Sequence, residues 1–109
     1  MAPTKRLAVR EVTGPTCLSP EKGERVYRLL EPDVAAGEVV ELDFAGVELF
    51  ATPFFNLSIG LLLRSLEPDV VRSRVRLVNL NEVGHDTYVR AFDNAVHTYY
   101  GDAEGPRGR

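Results

Sequence analysis

The strongest constraint in the sequence is an apolar stretch over residues 39–66, with the letters VVELDFAGVELFATPFFNLSIGLLLRSL. Its first part alternates, because the apolar Val40, Leu42 and Phe44 are separated by acidic residues. Such alternation, with a further valine on the opposite face, is typical of a strand in the middle of a covered sheet. We therefore predict a buried strand over residues 38–44.

The second part of this stretch predicts a helix over residues 53–66. Thr52 followed by Pro53 forms a helix start, because threonine caps helices and proline is tolerated in the first turn. Apolar side chains then cover most of the helix, and the polar stripe is narrow. That stripe consists of Asn56, Gly60 and Arg64. One sheet face cannot cover so much apolar surface, so we expect the helix to meet a neighbouring helix or another molecule.

The rest of the chain supplies two further strands and two further helices. They are a first strand near residues 7–12, a helix from Ser19 to Leu30, a strand over residues 75–80, and a last helix entered at Gly84 or Asp86 and ending at Gly101. Gly23 weakens the first turn of its helix and indicates either fraying or close packing there.

The order β-α-β-α-β-α with short links predicts the fold class. It indicates a single α/β domain over residues 6–100, in which a small, mostly parallel sheet carries helices packed on it. Residues 1–5 and 101–109 are predicted to be flexible tails. The strand order stays open, including an antiparallel first strand at the edge.

Composition excludes several functional classes. The net charge of -3 provides no positive field for nucleic acid or an anionic membrane. The longest apolar run, residues 57–63, is far shorter than the roughly 20 residues that span a bilayer, and the chain begins without an apolar signal. We therefore expect a cytoplasmic protein. Cys17 is the single cysteine, and His85 and His97 have no neighbouring ligands at suitable spacing, so we expect no metal or cofactor.

The central segment carries a family resemblance. Its pattern is Leu42-Asp43-Phe44, then Gly46-Val47, then a helix entry that reads Phe50-Ala51-Thr52-Pro53-Phe54-Phe55. This pattern resembles the STAS-like domains of unknown function, which are similar to the anti-sigma-factor antagonists. In phosphorylatable antagonists the loop before this helix carries an aspartate and two serines, and the second serine accepts phosphate from a partner kinase.

Those three positions are occupied here by Ala51, Thr52 and Pro53, so the acceptor position has no hydroxyl. Thr52 is the remaining candidate phosphoacceptor, beside the free amides of a helix start. The alternative is that its hydroxyl caps the helix and bonds to the backbone.

The resemblance implies a non-catalytic regulatory module that docks on a protein partner. That partner would be an ATPase of the histidine-kinase-like fold or another signalling protein. The predicted docking surface is the loop and helix entry over residues 46–55, with the adjoining helix flank. Its candidate contact residues are Gly46, Glu48, Phe50, Thr52, Phe55 and Asn56.

Two other functions stay open. A small ligand or nucleotide would bind in the crevice beyond the strand ends, near Asp43, Asn79 and Asn81. Asp43 has a structural alternative, which is to close its loop through backbone amides. The apolar helix flank is also a candidate homodimer surface. We expect no enzyme, because no constellation of nucleophile, base or paired carboxylates is readable.

Overall fold

The computed structural model describes residues 5–101. The strands are β1 (Lys5–Ala8), β2 (Thr16–Cys17), β3 (Val40–Asp43), β4 (Leu49–Phe50) and β5 (Val75–Val78). The helices are α1 (Val9–Thr13), α2 (Pro20–Ala35), α3 (Thr52–Asn56), α4 (Ile59–Leu62), α5 (Pro68–Arg74) and α6 (Glu82–Tyr100). The predicted tails fall outside the described residues, except that Lys5 begins β1 and Gly101 follows α6. The domain limits stay a prediction.

Three parallel strands form the main sheet, in the order β1-β3-β5. β3 lies in the centre, and its Val40 and Leu42 are buried against the helices. The predicted α/β fold with a mostly parallel sheet is confirmed. The open question about the first strand is also resolved, because β1 is a parallel edge strand.

The first strand begins and ends earlier than expected. Residues 9 and 12 were assigned to it on their apolar character, but they belong to α1. Val9 is fully buried in the core, so its apolar character reflects a short helix that turns off the sheet edge. A five-residue helix has too few positions to show a helical period in the sequence.

A second, two-stranded parallel sheet was not predicted. It joins β2 to β4, with Thr16 opposite Leu49 and Cys17 opposite Phe50. Each strand has only two residues, so neither shows a periodic pattern. We call this pair the ribbon. It holds the connection between β3 and α3 against the segment that precedes α2.

The predicted single helix over residues 53–66 is wrong, because the chain divides it into α3 and α4. The break falls at Ser58, which is buried and whose Oγ donates to the carbonyl oxygen of Phe54 at 2.8 Å. A serine that bonds back to a carbonyl in the preceding turn competes with regular helix bonding. The two short helices lie between α2 and α6. Neighbouring helices therefore cover the apolar surplus.

Two helix limits differ from the sequence prediction, and one further helix was not predicted. α2 starts at its Ser19 cap as predicted, since the Ser19 side chain accepts from the amide of Lys22, but it continues past Pro32. Burial of Val34 in the same core outweighs the one helical hydrogen bond that proline removes. α6 starts earlier than predicted because Asn81 caps it. α5 was missed because its proline was interpreted only as a helix stop.

Candidate functional site

The candidate site is the loop between β3 and α3, at the carboxyl end of the main sheet. Gly46 and Glu48, two of the predicted docking residues, are exposed there, and their role in docking stays a prediction. The ribbon fixes the loop, because the Glu48 amide donates to Pro15 at 2.9 Å and the Ala51 amide to Cys17 at 3.0 Å. The loop is therefore presented in a defined conformation.

Gly46 has a conformational reason to be glycine. Its φ of 84° lies in the left-handed region, which favours glycine. A Cβ at this position would also lie 2.5 Å from Cδ of Arg10, so the Arg10 side chain packs directly on the glycine backbone. Gly46 therefore shapes the loop and exposes only backbone to a partner.

Phe55 is corrected from a docking residue to a core residue. Its side chain is 1% exposed and lies among aromatic rings, with Phe50 stacked at 5.9 Å and Tyr88 edge-on at 5.5 Å between centroids. Phe50 is half-buried in the same cluster. The side chain of Phe55 therefore has no surface to offer a partner, and that of Phe50 has little.

Thr52 does not cap the helix, contrary to prediction. Ala51 is the extended residue before α3, and Thr52 is the first residue of the helix, without a side-chain capping bond. Thr52 is half-buried, while Asn56 at the end of α3 is exposed. Phosphorylation of Thr52 stays a prediction.

Asp43 and Asn79, both predicted to line a ligand crevice, lie together. Asn79 Nδ2 donates to Asp43 Oδ1 at 2.8 Å, and the Ala45 amide donates to the same oxygen at 3.0 Å. Asn79 adopts a left-handed φ of 59°, which is uncommon for a residue other than glycine. Asp43 therefore closes its loop and ties the end of β3 to the end of β5.

This network holds the pKa of Asp43 below its ordinary value. The main cause is the hydrogen bond from Asn79, followed by the bond from the Ala45 amide. The guanidinium of Arg6, 3.4 Å from Asp43 Oδ2, acts in the same direction. Each of these groups favours the charged carboxylate over the neutral acid.

Asn81 is directed away from Asp43 and Asn79. Its Oδ1 accepts from the Gly84 amide at 2.7 Å, and its Nδ2 donates to the Glu48 carbonyl at 3.2 Å. Asn81 thus joins the start of α6 to the loop that carries Glu48. The three crevice candidates are all engaged in bonds within the protein, and the ligand crevice stays a prediction.

A comparison with protein-family profiles matches residues 22–85 to the family described as STAS-like domain of unknown function (DUF4325). This chain belongs to that family. The matched region runs from the first turn of α2 to the first turn of α6 and contains the whole loop and helix entry. The resemblance predicted from the sequence is therefore confirmed. Searches of curated proteins and of solved structures found no match.

The STAS-like domain exposes apolar side chains around this loop that the sequence prediction missed. Leu49 in β4 is 55% exposed, Leu18 after β2 is 42% exposed, and Val83 in the first turn of α6 is 62% exposed. In the ribbon, Leu18 lies one residue beyond the partner of Phe50, on the same face as Leu49. We call these three residues the apolar rim.

One signal in the sequence points to Leu18. A hydrophobic residue directly before a helix cap often packs on the fourth helical residue. Here the cap is Ser19 and the fourth residue of α2 is Gly23, which has no side chain to receive Leu18. Leu49 gave no such signal, because its exposure depends on a ribbon that the sequence did not reveal.

We also considered a metal site, a reactive thiol and a membrane-spanning helix in the part of the chain that the structure describes. Among residues 5–101 there is no group of three or more His, Cys, Asp or Glu side chains able to hold a metal ion. Cys17 is buried against Thr13, and burial raises the pKa of its thiol. Within the same range, no helix combines the length and apolar character needed to cross a membrane.

Proposed function

We propose that this STAS-like domain is a non-catalytic regulatory module that docks on a protein partner through the loop over residues 46–55. The observation that carries this proposal is Leu49, a large apolar side chain that is 55% exposed in the centre of that loop. Fully burying a leucine side chain contributes about 1.5–3 kcal/mol, so covering the exposed half of Leu49 supplies roughly half of that.

The surroundings of Leu49 support a docking role. The ribbon and the Asn81 bond hold the loop on two elements, β2 and the start of α6. A preorganised loop loses little conformational entropy when it binds. The other members of the apolar rim lie on these same two elements, with Leu18 directly after β2 and Val83 in the first turn of α6. Glu48 and Gly46 are exposed on the same loop and complete the proposed contact surface.

The class of partner rests on the similarity to anti-sigma-factor antagonists. We propose an ATPase of the histidine-kinase-like fold, or another signalling protein, acting in the cytoplasm. Pro53 at the usual acceptor position cannot take phosphate. We propose that regulation acts instead through phosphorylation of Thr52, one residue earlier. Mass spectrometry of the protein recovered from its source cells tests whether Thr52 carries phosphate.

The test is affinity capture from source-cell lysate with the tagged chain and two variants. Leu49→Glu places a charge in the proposed interface and is expected to abolish recovery of the partner. Val89→Glu is the matched control, because Val89 is also half-exposed but lies on α6 outside the apolar rim. Both variants should keep the circular dichroism spectrum of the wild-type chain.

Recovery of one stoichiometric signalling protein or ATPase with the wild type and with Val89→Glu, but not with Leu49→Glu, supports the proposal. Equal recovery by all three proteins places the contact elsewhere on the domain. Recovery of the bait alone from all three counts against stable docking altogether.

A further inference from the structure

Within residues 5–101 the main sheet ends at β1, and no strand of this range pairs with the outer side of β1. The Lys5 amide donates to the Val39 carbonyl at 3.2 Å, so the peptide groups of Lys5 face β3. Successive residues of a strand direct their peptide groups to opposite sides, so those of Arg6 face away from the sheet, as does the amide of Ala8. Lys5, Arg6 and Ala8 are exposed.

An apolar groove runs beside this free edge. It has a volume of about 200 Å³, and its floor is apolar while its rim is charged. It is lined on the sheet side by Lys5, Arg6, Leu7 and Val40, and on the side of α2 by Leu29 and Asp33. Leu29 lines this groove from α2 and is 52% exposed. A fourth strand beside β1 would place a side chain in this groove and cover Leu29.

Charge near the groove is uneven. Arg25, Leu29 and Asp33 follow one another at four-residue spacing and form one row on α2. Asp33 is paired with Lys5 at 3.4 Å. Arg25 at the other end of the row is exposed, and no residue in the range 5–101 forms an ion pair with it. The row therefore offers a partner the apolar side chain of Leu29 and, one turn away, the unpaired positive charge of Arg25.

We propose that the β1 edge accepts an extended segment of a partner protein as a fourth strand. The segment pairs with the outward peptide groups of Arg6, inserts an aliphatic side chain beside Leu29 and places a carboxylate near Arg25. Main-chain bonds supply affinity in this mode of recognition, and side-chain pockets supply specificity. The surface is separate from the apolar rim, so this inference does not rest on the proposed function.

A partner strand fits this edge better than the two other kinds of occupant. A second copy paired through its own β1 would present residues 5–8, KRLA, and this strand has no carboxylate to place near Arg25. A small molecule is disfavoured because the groove of about 200 Å³ is smaller than the roughly 300 Å³ at which ligand pockets begin.

The test is selection of a phage-displayed library of random eight-residue peptides on the immobilised full chain. Enriched peptides should contain an aliphatic residue together with Asp or Glu. Synthetic copies should bind Arg6→Pro and Leu29→Glu at least about tenfold more weakly than the wild type. Proline removes the outward amide of Arg6 but none that faces β3, and edge strands tolerate it.

Matched variants separate the contribution of the Arg6 amide to peptide binding from the contribution of side-chain charge. Arg6→Ala removes the same guanidinium but keeps the amide, so it should bind more tightly than Arg6→Pro. Arg25→Glu should weaken binding of the acidic peptides, whereas Arg28→Glu, on the same helix and next to Glu24, should change it by less than about twofold. Leu49→Glu should leave peptide binding unchanged, which distinguishes this edge from the loop of the proposed function.

Three results would overturn the proposal. Failure to enrich any peptide does so, as does enrichment of peptides that bind Arg6→Pro and Leu29→Glu as tightly as the wild type. Concentration-dependent dimerisation in light scattering that disappears in Arg6→Pro would assign the edge to a second copy of the chain instead.

Discussion

At the scale of single residues, Phe55 joins the helix entry to the core. It contacts four aromatic rings, and its 1% exposure leaves no room for a charged substitute. We predict that Phe55→Ala lowers the free energy of unfolding by about 3–5 kcal/mol, the usual cost of removing a buried phenylalanine. Urea unfolding followed by circular dichroism measures this change.

The control for Phe55 is Leu49→Ala, which truncates an exposed apolar residue of the neighbouring loop. It should change the unfolding free energy by less than about 0.5 kcal/mol. A Phe55→Ala variant as stable as the wild type would mean that the aromatic cluster repacks around the lost ring and that Phe55 is not required in the core.

Asp43 makes the stability of the fold depend on pH. Because the pKa of Asp43 is lowered in the folded chain, its contribution is complete above the ordinary aspartate pKa of about 3.9 and is lost as pH falls through the folded pKa. We predict that Asp43→Asn melts at a lower temperature than the wild type at pH 7. The difference should narrow in acid below about pH 4. Differential scanning fluorimetry across pH measures both effects.

A suitable control for Asp43 is Asp69→Asn, which removes a carboxylate that is 97% exposed and, within residues 5–101, bonded only to Arg72. Its effect at pH 7 should be small, as for other exposed ion pairs. A melting difference for Asp43→Asn that stays constant from pH 7 into acid would show that the side-chain shape, and not the carboxylate charge, stabilises the loop.

At the scale of elements, the two Ser/Thr-Pro helix starts show how far sequence reasoning reaches. Ser19 caps α2 as predicted. The equivalent pattern at Thr52 fails, because the amide of Ala51 is held by Cys17 in the ribbon and Ala51 is therefore the last extended residue. The local pattern predicts that a helix starts, but a tertiary hydrogen bond decides at which residue.

The division between α3 and α4 illustrates the same limit. The apolar period continues across residues 53–66, but α2 crosses so closely that a Cβ on Gly23 would lie 2.4 Å from the Phe54 carbonyl oxygen. Close packing is thus the correct one of the two alternatives for Gly23. The buried Ser58 supplies a hydroxyl to that same carbonyl. Neither the crossing point nor the bond could be predicted from one sequence.

At the scale of the whole molecule, the order of the long elements and the central position of β3 were predictable, because each has its own apolar period. The ribbon, α1 and α5 were not, since each is short and owes its conformation to neighbours distant in sequence. The apolar rim was missed for the same reason. Side-chain exposure in a loop depends on what the rest of the fold leaves uncovered.

This difference between long and short elements predicts an uneven distribution of stability. β3 is paired on both sides and its Leu42 lies in the core, whereas the ribbon has two residues in each strand. Segments with few buried contacts open locally at lower free energy than the core. We predict that the amides of Glu48 and Ala51 exchange with deuterium more than about tenfold faster than that of Leu42. NMR-detected exchange at neutral pH measures the three rates.

Local opening of the ribbon would matter for docking. A partner that covers Leu49 and binds only the closed loop would make local opening less frequent, because the loop could then open only after the partner dissociates. Exchange at Glu48 and Ala51 would therefore be slower in the complex than in the free domain. The internal control is Val71 in α5, whose amide donates to the Glu67 carbonyl at 3.0 Å. Because α5 leads into the amino end of β5 and the loop lies at the carboxyl end of the main sheet, the exchange rate of Val71 should not respond to such a partner. Equal protection of Glu48, Ala51 and Leu42 would instead show that the ribbon opens only with global unfolding. The docking loop would then be as rigid as the core, and Leu49→Glu would weaken binding through its direct contact alone.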